Sequence, residues 1–269
     1  MEYSGSKSFA WKAEYSFLAV AAFLVVLYAY GEQNRAFISV FSNAVTPFEA
    51  LAAFAMAVLA LLKRRNGKGS WFFSVWADYT LGMLLWFLAE STWAVYTLLL
   101  GIEIPYPSVA DAFWLAGYFP FLFALVLQAW PFRENFSSRN LVFISLLALV
   151  LAAIVLAVLI PPVLQEQSGV VTLAVSFAYS FLDIVLLTVA VPVFVLFLKG
   201  RFWRPLLYVM VGIVLQLVGD ILFGWTFLME AYYSGHPIDL LFDWSYLSLT
   251  LGFYLRLKGP LLISRSTST

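Results

Sequence analysis

Residues Glu90–Tyr118 read ESTWAVYTLLLGIEIPYPSVADAFWLAGY: an apolar run tipped by an acid, a turn punctuated by Pro105 and Pro107, and a second apolar run opening on Asp111. No Lys or Arg stands between Glu90 and Asp111. A charge in lipid costs about 3 kcal/mol even on lenient insertion scales, so acids at the lips of apolar helices face a protein interior and mark function. This stretch sets the reading of the whole chain: membrane helices with carboxylates near one end.

Composition agrees. Of 269 residues, 63% are hydrophobic, 19% aromatic and only 11% charged, where a soluble domain carries about 25% charged residues. There is no Cys, which excludes disulfides, thiolate nucleophiles and Cys-based metal sites, and a single His argues against zinc or paired-His haem.

Eight apolar segments are long enough to cross a bilayer, which needs about 20 helical residues. They lie near 13–30, 37–62, 71–100, 108–130, 140–160, 169–198, 203–229 and 237–256. Continuous apolarity at these lengths argues against a β-barrel, whose strands are short and alternating. The fold class read here is an all-α integral membrane protein of eight transmembrane helices forming one membrane domain, 1–269. The polar stretch 257–269 reads as a short cytoplasmic tail. A signal peptide at the first segment is the competing reading, but no small-x-small cleavage site follows Tyr30.

The loops alternate in charge. Lys7 and Lys12 precede the first segment, and Lys63, Arg64, Arg65 and Lys68 follow the second. Arg133 and Arg139 follow the fourth, Lys199, Arg201 and Arg204 the sixth, and Arg256, Lys258 and Arg265 the eighth. Only Arg35 of the fifteen basic residues falls on the other side. Positive loops stay inside, so both termini are expected in the cytoplasm and the protein in the cell (inner) membrane.

The acids also suggest an internal repeat, 13–130 against 140–256, with both halves in one orientation. Ser42, Thr46 and Glu49 match Ser176, Ser180 and Asp183 in spacing, and each triplet lines one helix face. Glu90 late in segment three matches Asp220 late in segment seven. Asp111 opens segment four, and Asp239 and Asp243 open segment eight.

This topology sets the depth of each acid. Glu90, Asp111, Asp220, Asp239 and Asp243 fall within about two turns of the outer surface, Glu49 and Asp183 lie nearer mid-membrane, and Asp78 lies nearer the cytoplasm. Helical spacing puts Trp86, Glu90 and Trp93 on one face, and Asp111, Trp114 and Tyr118 on another. Gln216, Asp220 and Gly224 share a third face, and Asp239, Asp243, Tyr246 and Thr250 a fourth. The expected site is an outward-facing acidic-aromatic pocket of Glu90, Trp93, Asp111, Trp114, Tyr118, Asp220, Asp239, Asp243 and Tyr246, with Glu49, Asp183 and His236 as secondary members.

Each piece has a plainer reading. Trp and Tyr form interfacial belts, Asp111 and Asp239 can serve helix N-termini, and His236 can be a solvated loop residue. With no base at the midplane, two chemistries remain open. The carboxylates hold protons, or Glu90, Asp111, Asp220 and Asp243 bind a calcium-like cation. No nucleophile elbow, HExxH or phosphate-cradling loop is present, and no catalytic residue is assigned.

The run Pro107-Ser-Val-Ala-Asp111-Ala-Phe-Trp-Leu-Ala-Gly-Tyr118 resembles a turn in multi-spanning sensory regions that precede bacterial and archaeal diguanylate cyclases and histidine kinases. Glu90, Trp93 and Tyr96 before it, Leu182-Asp183, Gly219-Asp220 and Asp243-Trp244-Ser-Tyr246-Leu247 fit the same pattern. The resemblance covers roughly 80–255. It implies an eight-helix module sensing a ligand or its environment, here without an output domain. The expectation is therefore a stand-alone sensor or receptor in the lipid bilayer, with a separate signalling protein at its cytoplasmic face and no nucleic-acid partner. A proton- or cation-coupled transporter is the alternative, and a membrane enzyme the third reading.

Overall fold

The computed structural model describes residues 2–63, 71–135, 137–165, 169–198 and 203–258. Arg64, Arg65, Lys68, Lys199, Arg201, Arg265 and most of the expected tail lie outside them. The described chain forms eight α-helices: α1 (Glu2–Gly31), α2 (Arg35–Leu62), α3 (Trp71–Ala94), α4 (Val109–Ala129), α5 (Ser138–Gln165), α6 (Val170–Phe197), α7 (Trp203–Leu228) and α8 (Asp239–Lys258). A π-helical turn, Val95–Leu99, extends α3, and a 3₁₀ turn, Trp130–Asn135, follows α4. Most ends fall within a few residues of the apolar boundaries. The exception is α1, which begins eleven residues before its expected start because the polar run ahead of Trp11 is also helical.

Six helices are long and apolar enough to cross a membrane: Trp11–Gly31, Arg35–Leu62, Phe73–Leu99, Val109–Glu134, Val170–Phe197 and Trp203–Leu228. In α5 the qualifying apolar stretch is shorter, Val142–Val158. α8 carries Asp239, Asp243, Arg256 and Lys258, so it falls short of the same apolarity. Its burial explains the difference. α8 packs on α1, α2 and α7 and buries residues around most of its circumference, so it presents little surface to lipid. The outer helices do the opposite. Phe23 and Val26 of α1, Phe143, Leu146, Leu149 and Val150 of α5, and Phe181 of α6 are exposed. An apolar exterior of that extent calls for lipid rather than water.

Helices α2, α3, α4, α6, α7 and α8 touch in a closed cycle in that order, with α1 outside on α8 and α2, and α5 outside on α6 and α7. Glycines permit two close approaches. A Cβ on Gly117 would stand 2.4 Å from the Trp86 ring, and one on Gly212 would stand 2.8 Å from Leu249 Cγ. These small residues draw α3 against α4 and α7 against α8.

Inside the cycle, the half nearer the basic loops is solidly packed. Tyr79, Met83, Trp86, Phe121, Leu249 and Phe253 are almost or fully buried in one cluster with the alanine face of α2, Ala50, Ala53, Ala57 and Ala60. Trp86 and Phe121 lie with centroids 4.6 Å apart. The other half of the cycle is hollow.

Candidate functional site

A cavity of about 100 Å³ opens at the end formed by the loops 32–34, 100–108 and 229–238. Its walls include Ser42, Asn43 and Thr46 from α2, Glu90 and Trp93 from α3, and Asp111 and Trp114 from α4. Ser176, Tyr179 and Ser180 come from α6, Gln216, Asp220, Phe223 and Gly224 from α7, and Asp239 and Phe242 from α8. Tyr106 and Tyr232 of the loops complete it. Every helix of the cycle contributes, and α1 and α5 do not.

The end loops are built to hold these groups. Ser108 caps α4 by accepting from Ala110 N, and Asp111 Oδ2 accepts from Ser108 N at 2.6 Å, closing a capping box. Asp111 Oδ1 turns inward and accepts from Tyr179 at 2.9 Å. Asp239 is bound similarly: Gly235 N and Tyr232 each donate to it at 3.0 Å. Both acids therefore brace a loop and line the cavity, so the capping reading and the pocket reading hold together.

Glu90, Asp183 and Asp220 are each met by a hydroxyl or an indole. Glu90 Oε1 accepts from Tyr246 at 2.6 Å and from Trp114 Nε1 at 3.1 Å. The Tyr118 hydroxyl lies 2.6 Å from Asp183 Oδ1 and 2.8 Å from Asp220 Oδ2. One hydroxyl has one proton, so the second of these bonds needs a proton from a carboxyl group. Asp183, Tyr118 and Asp220 thus form a proton-sharing chain in the cavity floor.

The ion pairs Arg35–Glu32 and Arg133–Glu134 involve no cavity carboxylate. In the loops, burial and then the neighbouring Asp239 hold the Tyr232 phenol well above its ordinary value, which keeps it a donor. Burial likewise raises Tyr106, whose hydroxyl meets Ser176 Oγ at 2.9 Å.

Of the residues singled out from sequence, Glu90, Trp93, Asp111, Trp114, Asp220 and Asp239 line the cavity. Tyr118 and Tyr246 stand behind its wall and orient the acids. The placement of Asp243 in the same pocket is corrected. It is fully buried and receives Tyr28 of α1 at 2.9 Å and Thr46 at 3.0 Å, with Glu49 hydrogen-bonded to it from beneath. His236 does not line the cavity either. It packs between Tyr232 and Tyr233 in the loop, where burial lowers its pKa below the ordinary value.

The candidate cation ligands Glu90, Asp111, Asp220 and Asp243 do not form one cluster. Among the described residues no three His, Cys, Asp or Glu come together in a way that could hold a metal ion. At least one oxygen of each lining carboxylate is held by a tyrosine, an indole or a backbone N–H. Sequence reading passed over Asn43, Tyr106, Tyr179 and Tyr232. Only the turn Pro105–Pro107 and the Tyr232-Tyr233 pair before Pro237 carried a local hint of the loop members.

Comparisons with known protein families, curated proteins and solved structures gave no match. The likeness to sensory membrane regions therefore rests on motif residues alone.

Proposed function

We propose that the chain is a membrane sensor or receptor-like protein that takes a small polar or cationic solute from outside the cell. In this reading it spans the inner membrane eight times with both termini in the cytoplasm. Its halves, α1–α4 and α5–α8, are parallel repeats about an axis along the membrane normal. Glu90 and Asp220, Asp111 and Asp239, and Tyr118 and Tyr246 are counterparts. Reciprocal bonding supports the pairing: Tyr246 of the second half donates to Glu90 of the first, while Tyr118 of the first meets Asp220 of the second.

One observation carries the receptor reading: behind the cavity's inner end lies a packed layer of Trp86, Tyr118, Phe121 and Tyr246. A solute admitted from the acidic end meets packed rings rather than a path. Occupancy would shift the helix cycle and be read at the cytoplasmic ends by a separate signalling protein. Reporter fusions at the two termini, together with a melting-temperature screen of the purified protein over neutral, anionic and cationic solutes, test it. Terminal reporters that prove to be outside, or no stabilisation by any solute, would overturn it.

A second reading, proton-coupled transport, is favoured by the shared proton of Asp183, Tyr118 and Asp220. Solute-driven proton uptake into proteoliposomes would select it over the receptor.

A further inference from the structure

We propose that the cavity's ligand is a small organic ammonium, a protonated amine with at least two N–H donors. The inference rests on the pocket reading above and adds the chemical class. Its basis is an imbalance of hydrogen-bonding groups. The donors that face the acids are already engaged: Trp114 and Tyr246 by Glu90, Tyr118 by Asp183 and Asp220, Tyr179 by Asp111, and Tyr232 by Asp239.

Acceptors are left over. Glu90 Oε2 and Asp220 Oδ1 receive no hydrogen bond among the described residues. Gln216 supplies the independent sign. It is 5% exposed and lines the cavity, yet its buried Oε1 has no partner. A buried amide oxygen without a donor costs about 1–3 kcal/mol, a cost that a turn of the Gln216 amide toward a donor in the cavity would remove.

Other classes fit less well. An anion would meet Glu90, Asp111, Asp220 and Asp239 with no Lys, Arg or His among the lining residues. A neutral polyol offers donors but leaves the carboxylate charge unanswered. A bare metal ion lacks a three-ligand cluster. The aromatic walls complete the case for ammonium. Trp93 and Trp114 lie 5.7 Å apart and tilted, and Phe223 meets Tyr106 at 5.3 Å and Tyr232 at 4.7 Å in T-shaped contacts, so aromatic rings share the wall with the acids. A cation against the face of such a ring is attracted by its quadrupole. Size also constrains the ligand. Benzene fills a cavity of about 150 Å³, so about 100 Å³ suits a solute on the scale of ethanolamine.

The same chemistry is offered by a free amine and by the ethanolamine headgroup of a lipid. The purified full chain in detergent is titrated with ethanolamine at pH 7, with ethylene glycol, sodium acetate, tetramethylammonium chloride and calcium chloride as matched controls. Melting temperature and tryptophan fluorescence are read. Ethanolamine alone is expected to give a saturable rise and a fluorescence change, with Glu90→Gln and Gln216→Leu each weakening it about tenfold or more. The fluorescence titration of the unmodified protein serves where a variant fails to fold.

Ethylene glycol or acetate acting in place of ethanolamine would overturn the ammonium class and leave the pocket reading standing. A response to tetramethylammonium equal to that of ethanolamine would overturn the N–H requirement, and with it the proposal. A flat response to every probe would overturn both readings. Nanodiscs with and without phosphatidylethanolamine separate the sources. Competition between that lipid and free ethanolamine assigns the headgroup, and ethanolamine binding indifferent to the lipid assigns the free amine.

Discussion

Two buried acid clusters flank the cavity floor, and they keep their protons differently. In one, Asp183 of α6 and Asp220 of α7 share the single hydroxyl of Tyr118, with Gln216 Nε2 a distant 3.5 Å from Asp220. In the other, Asp243 of α8 gathers Tyr28, Thr46 and Glu49. The difference traces to one extra acid. Where α8 has Asp243, four residues after Asp239, α4 has Leu115, four residues after Asp111. α1 lies on α8 and brings Tyr28, whereas α5, which has no Tyr, lies on α6 and α7. A lone bridge therefore joins α6 and α7, and a redundant one joins α8 to α1 and α2.

The largest expected effect follows from removing the lone bridge. Tyr118→Phe leaves two buried carboxyl groups without their common donor and should cost about 3 kcal/mol of stability. Tyr28→Phe leaves Asp243 with Thr46 and Glu49 and should cost about 1 kcal/mol. Denaturation of the two variants in one detergent checks the ratio. Equal losses would dissolve the contrast.

Packing sharpens it next. Gly117→Ala drives a methyl group into the Trp86 ring, which is held between α3 and α4, and overpacking of this kind costs about 1–3 kcal/mol. Gly219→Ala meets Phe242 at 2.7 Å, but that ring borders the cavity and has space to move, so its cost should be smaller. A melting-temperature comparison that reversed the order would show the floor to be the looser region.

The acids that brace the loops come third. Asp111→Ala removes the capping box and the Tyr179 contact, for a loss of about 1 kcal/mol.

The helices and the acid-bearing end were legible because lipid selects long apolar runs and tolerates few charges. Glu90, Asp111 and Asp220 stood out against that background. Their partners did not. A tyrosine in an apolar helix reads as belt or packing, and Tyr28 meets Asp243 across 215 positions of sequence. Only the closed cycle of helices decides which hydroxyl faces which acid. Asp243 was misplaced for the same reason: its helical face was read correctly, but the α1 tyrosine covering it was invisible locally.

The smallest expected effect lies outside the membrane segments. Burial lowers the His236 pKa, Glu32 opposes that shift and Arg35 adds to it, and Nδ1 accepts from Ile238 N. The folded state therefore disfavours the proton. This contribution to stability is present above pH about 6.5 and is lost as pH falls through the lowered folded value. The difference in melting temperature between His236→Gln and the unmodified protein should accordingly depend on pH across that window. A constant difference would contradict it.

Among the described residues the cavity opens at the acidic end and is closed below by packed rings. The chain has no cysteine, so single cysteines report access directly. Ser176→Cys lines the cavity, and Ser248→Cys replaces a fully buried residue of α8. A small, charged, membrane-impermeant methanethiosulfonate should modify Ser176→Cys on intact cells and leave Ser248→Cys unmodified both there and in inside-out vesicles. Labelling of Ser176→Cys only from the cytoplasmic side, or of Ser248→Cys from either side, would contradict the account.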